Sequence, residues 1–282
     1  MKFTLMPKSR IIVTLLGVAF LTVAVGVTSY LTQSRQSLRS LAGGAEVPKE
    51  VKITNLTENS VSVSWITDVD VIGSVNYGID TTLGVTALED RIGAAKTSVH
   101  HVTLKPLQPA TTYYFKISSG KGQYGEGANA YVVKTPSLIG TPPPPQTVYG
   151  TLINPDSSVF GGRGVVYVDT LGGGTASTVI NPANGNWSVS ISTIRTKDLN
   201  SYVSLGNNTS LTLFVQAGEA GTSRATVKLV QTQPVPTMTL GETYNFEPTD
   251  VLSTPKPPTT PTSSTSGTKK CITILARRLC LP

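Results

Sequence analysis

Alternation of apolar and hydroxyl-bearing residues is the pattern that most limits what this chain can fold into. In the segment VSVSWIT, Val61, Val63 and Trp65 take one set of alternate positions and serines take the other. Successive side chains of a β-strand point to opposite faces, so the pattern predicts a strand with one buried face. Similar alternation recurs in segments between Gly73 and Gln231. The sequence therefore predicts an all-β fold of two tandem, antiparallel, immunoglobulin-like sandwiches.

The cysteines are confined to the C-terminal end. Cys271 and Cys280 are the two cysteines of the chain, so core packing alone must hold the predicted sandwiches together. In an oxidising compartment a Cys271–Cys280 disulfide would close a small loop. Two unpaired thiols in a tail are the alternative, and zinc is disfavoured because no histidine lies nearby.

An apolar stretch without charges, Ile11 to Leu31, predicts a membrane anchor. As a helix it would rise about 31 Å, which matches a hydrocarbon core of roughly 30 Å. A cleaved secretory signal is the rival reading, but its apolar region is usually about 7 to 15 residues long. A retained single-pass anchor predicts a cytoplasmic N-terminus, with the bulk of the chain outside the cell at the cell membrane.

Composition shifts divide the rest of the chain. Residues 142–145 are four consecutive prolines, which predict a stiff spacer and a domain boundary. The predicted organisation is a basic cytoplasmic end at 1–10, the anchor at 11–31, a spacer at 32–45, a first sandwich at 46–136, a Pro-rich linker at 137–146, a second sandwich at 147–247, a Pro/Ser/Thr-rich stalk at 248–268 and a basic tail at 269–282.

The net charge of +7 does not predict nucleic-acid binding. Basic residues without acidic ones cluster before residue 40 and after residue 268, whereas Glu46 to Glu247 holds slightly more acidic than basic side chains. A phosphate-binding surface of the kind DNA requires is therefore not indicated. The basic tail is interpreted as a frayed end or, alternatively, as a surface-docking segment.

The first predicted sandwich resembles a fibronectin type III module. Trp65 is followed some 40 residues later by the L-x-P-x-T-x-Y motif at 107–113, which implies a corner where the Tyr113 hydroxyl bonds to nearby backbone. The segments NYGID at 76–80 and HHVTLKPL at 100–107 are similar to the sandwich preceding the catalytic domain of purple acid phosphatases. Core positions predicted for both sandwiches are Trp65, Tyr77, Leu107, Pro109, Thr111, Tyr113 and Trp187.

The phosphatase reaction is not implied with that resemblance, because the GDxG and GNHE metal-ligand motifs of the family's catalytic domain are absent. His100 and His101 are adjacent on a predicted strand, so their side chains should point to opposite faces and cannot chelate one ion together. One is expected at the core edge and the other in solvent. No metal, cofactor or catalytic residue is predicted.

Two glycine-containing segments are predicted to be turns or loops between strands. The glycine-rich segment 119–127 predicts a mobile loop, or a plain hairpin connection, in which Tyr124 is a weak candidate for ligand recognition. Asn184-Gly185 predicts a type I′ hairpin. Around it, the segments at 148–168 and 178–191 resemble carboxypeptidase regulatory-like sandwiches of bacterial surface proteins.

These features together predict a non-catalytic, membrane-anchored surface protein. Its sandwiches would present end loops or sheet edges to another protein or to a glycan. Asp68 and Asp70 lie two residues apart but are interpreted as a solvated loop. The alternatives are an accessory or remnant module of a phosphatase-like protein and a docking protein of an envelope complex that uses its tail.

Overall fold

The computed structural model describes residues 44–247, 271–274 and 277–280. The chain divides into two compact units, of which one ends at Glu247 and the other begins at Pro248. No helix within these described residues is long and apolar enough to cross a membrane, and the predicted anchor at 11–31 lies outside them. The predicted all-β class is confirmed, since the described secondary structure is strands with two short 3₁₀ turns.

Seven strands form the first sandwich. They are β1 Lys49–Thr54, β2 Val61–Gly78, β3 Val85–Leu88, β4 Lys96–Leu104, β5 Thr112–Ser119, β6 Gly122–Tyr124 and β7 Tyr131–Lys134. The long strand β2 belongs to both layers. It pairs with β1 and β4 as far as Ile72 and with β3 and β5 from Gly73 onward, and its register against β4 shifts between Ile66 and Val71.

Eight strands form the second sandwich. They are β8 Thr147–Ile153, β9 Val165–Thr170, β10 Thr175–Val179, β11 Asn186–Ser190, β12 Ser210–Gln216, β13 Thr222–Lys228, β14 Met238–Thr239 and β15 Thr243–Asn245. One sheet has the order β10-β9-β12-β13-β15 and the other has the order β11-β8-β14. Between them lies an apolar core that includes Leu152, Trp187 and Leu213.

The other unit contains a two-stranded antiparallel hairpin, β16 Cys271–Ile274 and β17 Arg277–Cys280. Its register makes Cys271 and Cys280 direct cross-strand partners. The disulfide between them stays a prediction.

The predicted half-buried strand is buried on both faces. Val61, Val63 and Trp65 fill the first core, as the alternation predicts, but Ser62 and Ser64 are also at most 1% exposed. The reason lies in the second sandwich, since the hydroxyl of Ser64 is 2.8 Å from that of Tyr167 on β9. The serine face that the sequence assigns to solvent is therefore an interface between the sandwiches.

The linker does not hold the sandwiches apart as a spacer would. Strand β7 ends at Lys134 and β8 begins at Thr147, so the boundary falls in the Pro-rich segment. Nevertheless the two sandwiches touch directly, and Val99 of the first packs with Val165 and Tyr167 of the second. This direct contact, rather than the stiffness of four prolines, fixes their arrangement.

The Asn184-Gly185 pair does not make the predicted β-hairpin. Strand β10 pairs with β9 and strand β11 pairs with β8, so this turn carries the chain from one sheet to the other. Of its two central residues only Gly185 has positive φ, at 69°, whereas a type I′ turn needs positive φ at both. The turn is closed by a hydrogen bond from the Gly185 amide to the Asn181 carbonyl, at 2.8 Å.

Substitution of Gly185 by alanine should lower the free energy of unfolding by about 1–3 kcal/mol. A Cβ atom there would press on the Leu152 carbonyl, in a left-handed conformation that favours glycine. Gly206→Ala is the control, since nothing lies within 4 Å of a Cβ at that position and its φ is not positive. Urea unfolding of both variants tests this expectation, and an equal effect at the two sites would contradict it.

Candidate functional site: a polar interface between the two sandwiches

The L-x-P-x-T-x-Y motif at 107–113 lies where the chain turns into β5. Tyr113 is 6% exposed and its hydroxyl accepts a hydrogen bond from the Gln108 amide at 2.9 Å. Trp65, Tyr77, Leu107 and Trp187 are buried as well. Pro109 and Thr111 do not lie in the core, because β5 begins only at Thr112 and the preceding residues form a turn. Thr111 instead donates its hydroxyl to the Pro109 carbonyl at 2.9 Å.

Tyr124 lies on a short strand rather than in a mobile loop. It is half-buried and pairs with Ile117 across the β5–β6 hairpin. Of the two alternatives for segment 119–127, a mobile loop or a hairpin connection, the structure has the hairpin connection. Burial, together with the nearby Glu46 carboxylate, raises the pKa of its hydroxyl. Nothing in this geometry converges on Tyr124 as a binding site.

Both histidines are buried, contrary to the expectation that one of them faces solvent. Strand β4 pairs with β2, and its side chains alternate between two interiors instead of one interior and water. His100 is 0% exposed and stacks on Trp65 with the ring centroids 4.6 Å apart. His101, on the opposite face, is 3% exposed because the second sandwich covers it.

His100 belongs to a buried network of charged groups. Its Nδ1 lies 2.5 Å from Oε1 of Glu89, and its Nε2 lies 3.2 Å from the Thr67 hydroxyl. The other oxygen of Glu89 accepts hydrogen bonds from the His101 amide and from Nη2 of Arg163, both at 3.0 Å. Arg163 comes from the second sandwich, so Glu89 joins the two sandwiches through a charge-assisted bond.

Arg163 reaches deep into the first sandwich. Besides Glu89, it donates from Nε to the Val99 carbonyl at 2.8 Å and from Nη2 to the Asp90 carbonyl at 3.1 Å. Burial lowers the pKa of its guanidinium, and the Glu89 carboxylate acts in the opposite direction. The ion pair is therefore embedded in hydrogen bonds, as a buried pair requires.

His101 forms a second chain of contacts across the interface. Its Nδ1 lies 2.7 Å from Oδ2 of Asp90, and its Nε2 lies 2.9 Å from the Ser177 hydroxyl on β10 of the second sandwich. Asp90 also accepts a hydrogen bond from the Thr103 hydroxyl at 2.7 Å. Burial alone would raise the pKa of Asp90, but the bonds from His101 and Thr103 outweigh it and lower that pKa.

Ser177, His101 and Asp90 have the connectivity of a hydrolytic triad, but their surroundings are those of a structural contact. Ser177 lies on a regular strand, and its hydroxyl is also 2.5 Å from that of Thr54 and 3.2 Å from Nδ2 of Asn55. One hydroxyl donor and two acceptor sites are thus all engaged. The Ser177 amide, which could otherwise stabilise an oxyanion, donates to Oδ1 of Asn55 at 2.8 Å.

The sequence signals for this interface are weak. Buried serines on a strand look like solvent-facing ones, and Glu89, Asp90 and Arg163 lie in segments that read as ordinary polar loops. The described residues hold no group of three or more His, Cys, Asp and Glu side chains arranged as metal ligands. What the arrangement does chemically is hold two domains in one orientation through buried charges that are paired and hydrogen-bonded across the interface.

Acidification is expected to weaken this interface through Asp90. Because the folded-state pKa of Asp90 is lowered, its ionised form stabilises the fold above about pH 4, and this contribution is lost as the pH falls through the folded value. Asp90→Asn should cost about 1.5 kcal/mol at neutral pH and progressively less below pH 4. Unfolding free energies of both proteins between pH 7 and pH 2.5 test this; a difference independent of pH would contradict it.

Comparison with known proteins bears on the first sandwich. The family model of the purple acid phosphatase N-terminal domain matches residues 48–135. None of the curated proteins matches the chain.

Similar solved structures include the sensor domain of the anti-sigma factor RsgI4 from Pseudobacteroides cellulosolvens, at 19% identity and a TM-score of 0.24, covering 32% of this chain and 98% of that one. A fibronectin type III domain from the human KIAA0970 protein is 13% identical, with a TM-score of 0.26, and the match covers 39% of this chain and 87% of that one. A two-domain fibronectin type III segment of chicken tenascin is 14% identical, with a TM-score of 0.21, covering 64% of this chain and 98% of that one.

The resemblance of the second sandwich to carboxypeptidase regulatory-like domains stays a prediction. The first sandwich, over residues 48–135, is similar to the N-terminal domain of purple acid phosphatases.

Proposed function

We propose that this chain is a non-catalytic surface protein, anchored in the cell membrane by residues 11–31, whose two sandwiches act as one rigid module for binding another surface protein or a glycan. The observation that carries the proposal is the interface itself. Domains joined by a linker keep relative motion unless their interface is substantial. Here Glu89, Arg163 and His101 connect the sandwiches through buried polar contacts, so loops and edges from both face a partner at fixed spacing.

Topology is the first point to test. Intact cells that produce the full chain are treated with protease, and antibodies against each sandwich follow the fragments. The proposal expects both sandwiches to be cleaved or released from intact cells and a short fragment containing residues 11–31 to remain with the membrane. Full protection of both sandwiches until the cells are lysed would contradict it.

An accessory or remnant role next to phosphatase chemistry is the second candidate, and the family match at residues 48–135 favours it. A colorimetric assay with a phosphomonoester distinguishes the two candidates. The full chain is assayed with added iron, zinc or manganese, and the first proposal expects no turnover above the protein-free control. Metal-dependent turnover that survives repurification would establish the second candidate instead.

A further inference from the structure

We propose that the outer edge of β11, where it borders a cleft between the two sandwiches, binds an extended acidic peptide of a partner protein by adding it as a further strand. This inference rests on the proposed binding function and names the surface and the ligand class for it. Strand addition takes its affinity from backbone hydrogen bonds at an open sheet edge and its specificity from pockets for alternate side chains.

Strand β11 offers such an edge. Among the described strands it pairs only with β8, and the Ile191 amide donates to the Gln146 carbonyl at 2.9 Å, which fixes the alternation of the ladder. By that alternation the amides and carbonyls of Ser188 and Ser190 point away from β8. Both serines are exposed, and their backbone groups have no hydrogen-bond partner within the described part of the chain.

The facing edge of β10 is already occupied by the first sandwich. The Asn55 amide donates to the Thr175 carbonyl at 2.9 Å, and Nδ2 of Asn55 donates to the Ser177 carbonyl at 2.9 Å. Asn55 thus occupies the backbone hydrogen-bonding positions that a neighbouring strand would use on this edge of β10. An incoming peptide can therefore pair with β11 and not with β10.

A cleft beside β11 gives the peptide room. It has a volume of about 540 Å³, within the range of about 300–1,000 Å³ that is usual for ligand sites. Ile53 and Leu56 of the first sandwich form one wall, and Ser188 to Ser190 form part of the other. Ala176 and Ile194 contribute apolar lining, which suits alternate side chains of a bound strand.

The charges of the cleft select for a carboxylate. Its lining includes Arg195 and Lys197 but no aspartate or glutamate. Arg195 is 2% exposed; its Nη2 donates to Glu58 at 2.7 Å, whereas its Nε and Nη1 have no hydrogen-bond partner among the described residues. Lys197 is exposed and forms no ion pair there. An aspartate, a glutamate or a C-terminal carboxylate of the peptide would pair with the exposed Lys197 ammonium, while the buried Arg195 adds positive charge behind it.

Peptide pools test the ligand class. Fluorescein-labelled hexapeptide pools, each with one fixed residue at one position, are titrated with the full chain in detergent and followed by fluorescence anisotropy. We expect acidic pools to bind in preference to basic ones. Lys197→Glu should weaken binding of the best acidic pool about tenfold or more, whereas Lys134→Glu, an exposed lysine on β7 outside the cleft, should leave it unchanged.

Hydrogen exchange of the unsubstituted chain tests the binding mode. The Ser188 and Ser190 amides should exchange fast in the free chain and become protected with the best pool, whereas the Trp187 and Val189 amides are protected in both states. Absence of binding by every pool, equal binding of acidic and basic pools, or binding that leaves both serine amides unprotected would each overturn the inference. None of these results would contradict the proposed function. That function would be contradicted by protection of both sandwiches from protease on intact cells or by phosphatase turnover.

Discussion

Replacement of Glu89 by glutamine is expected to lower the free energy of unfolding by about 3–5 kcal/mol, the largest effect of any single polar substitution proposed for this chain. Glu89 is 4% exposed, and its carboxylate contacts Nδ1 of His100, the backbone amide of His101 and Nη2 of Arg163. Glutamine preserves the shape but leaves the guanidinium of Arg163 buried without its negative partner. Urea unfolding with linear extrapolation measures the loss.

The matched control is Glu126→Gln, because Glu126 is exposed and forms no ion pair among the described residues. It should change stability by less than about 0.5 kcal/mol. A double variant, Glu89→Gln with Arg163→Met, should lose less than the two single variants together, because it removes both ends of the buried pair. Strict additivity would show that the pair is not coupled.

Substitution of Gly73 by alanine should cost about 3 kcal/mol or more. Gly73 lies on β2 beneath the buried network, and a Cβ atom there would lie 2.5 Å from Oε1 of Glu89 and 2.8 Å from Cζ2 of Trp65. Neither neighbour can move far, since Trp65 is 1% exposed and stacks on His100. The Glu89–His100 contact must therefore be displaced.

Gly84→Ala gives a comparison with the same chemical change. Gly84 is exposed, has nothing within 4 Å of an added Cβ and no positive φ, so alanine should be neutral or slightly stabilising there. Thermal unfolding followed by circular dichroism, supported by the near-ultraviolet signal of the tryptophans, separates the two variants. A Gly73→Ala protein as stable as Gly84→Ala would mean that the network is loosely packed.

The fold was largely predictable because its signals are local. Period-two alternation identifies the core face of β2, which holds Val61, Val63 and Trp65. The corner around Tyr113 follows from a short motif. Each of these predictions depends on residues close together in the sequence.

The interface was not predictable for the opposite reason. Whether Ser64 and His101 face water or a second domain depends on contacts with Tyr167 and Ser177, which lie 103 and 76 positions away, and serine suits either environment. The same limitation applies to Asn184-Gly185. The dipeptide predicts a turn, but which sheet receives the next strand is decided by tertiary packing.

The direct contact between the sandwiches changes what the proline segment has to do. If the buried polar contacts set the geometry, the connecting segment serves only to keep the two halves at high effective concentration. Its length and sequence are then free to vary, because lengthening such a connection costs little entropy. A protease cut in the connecting segment 137–146 would leave two fragments that stay together and migrate as one particle until acid or denaturant separates them.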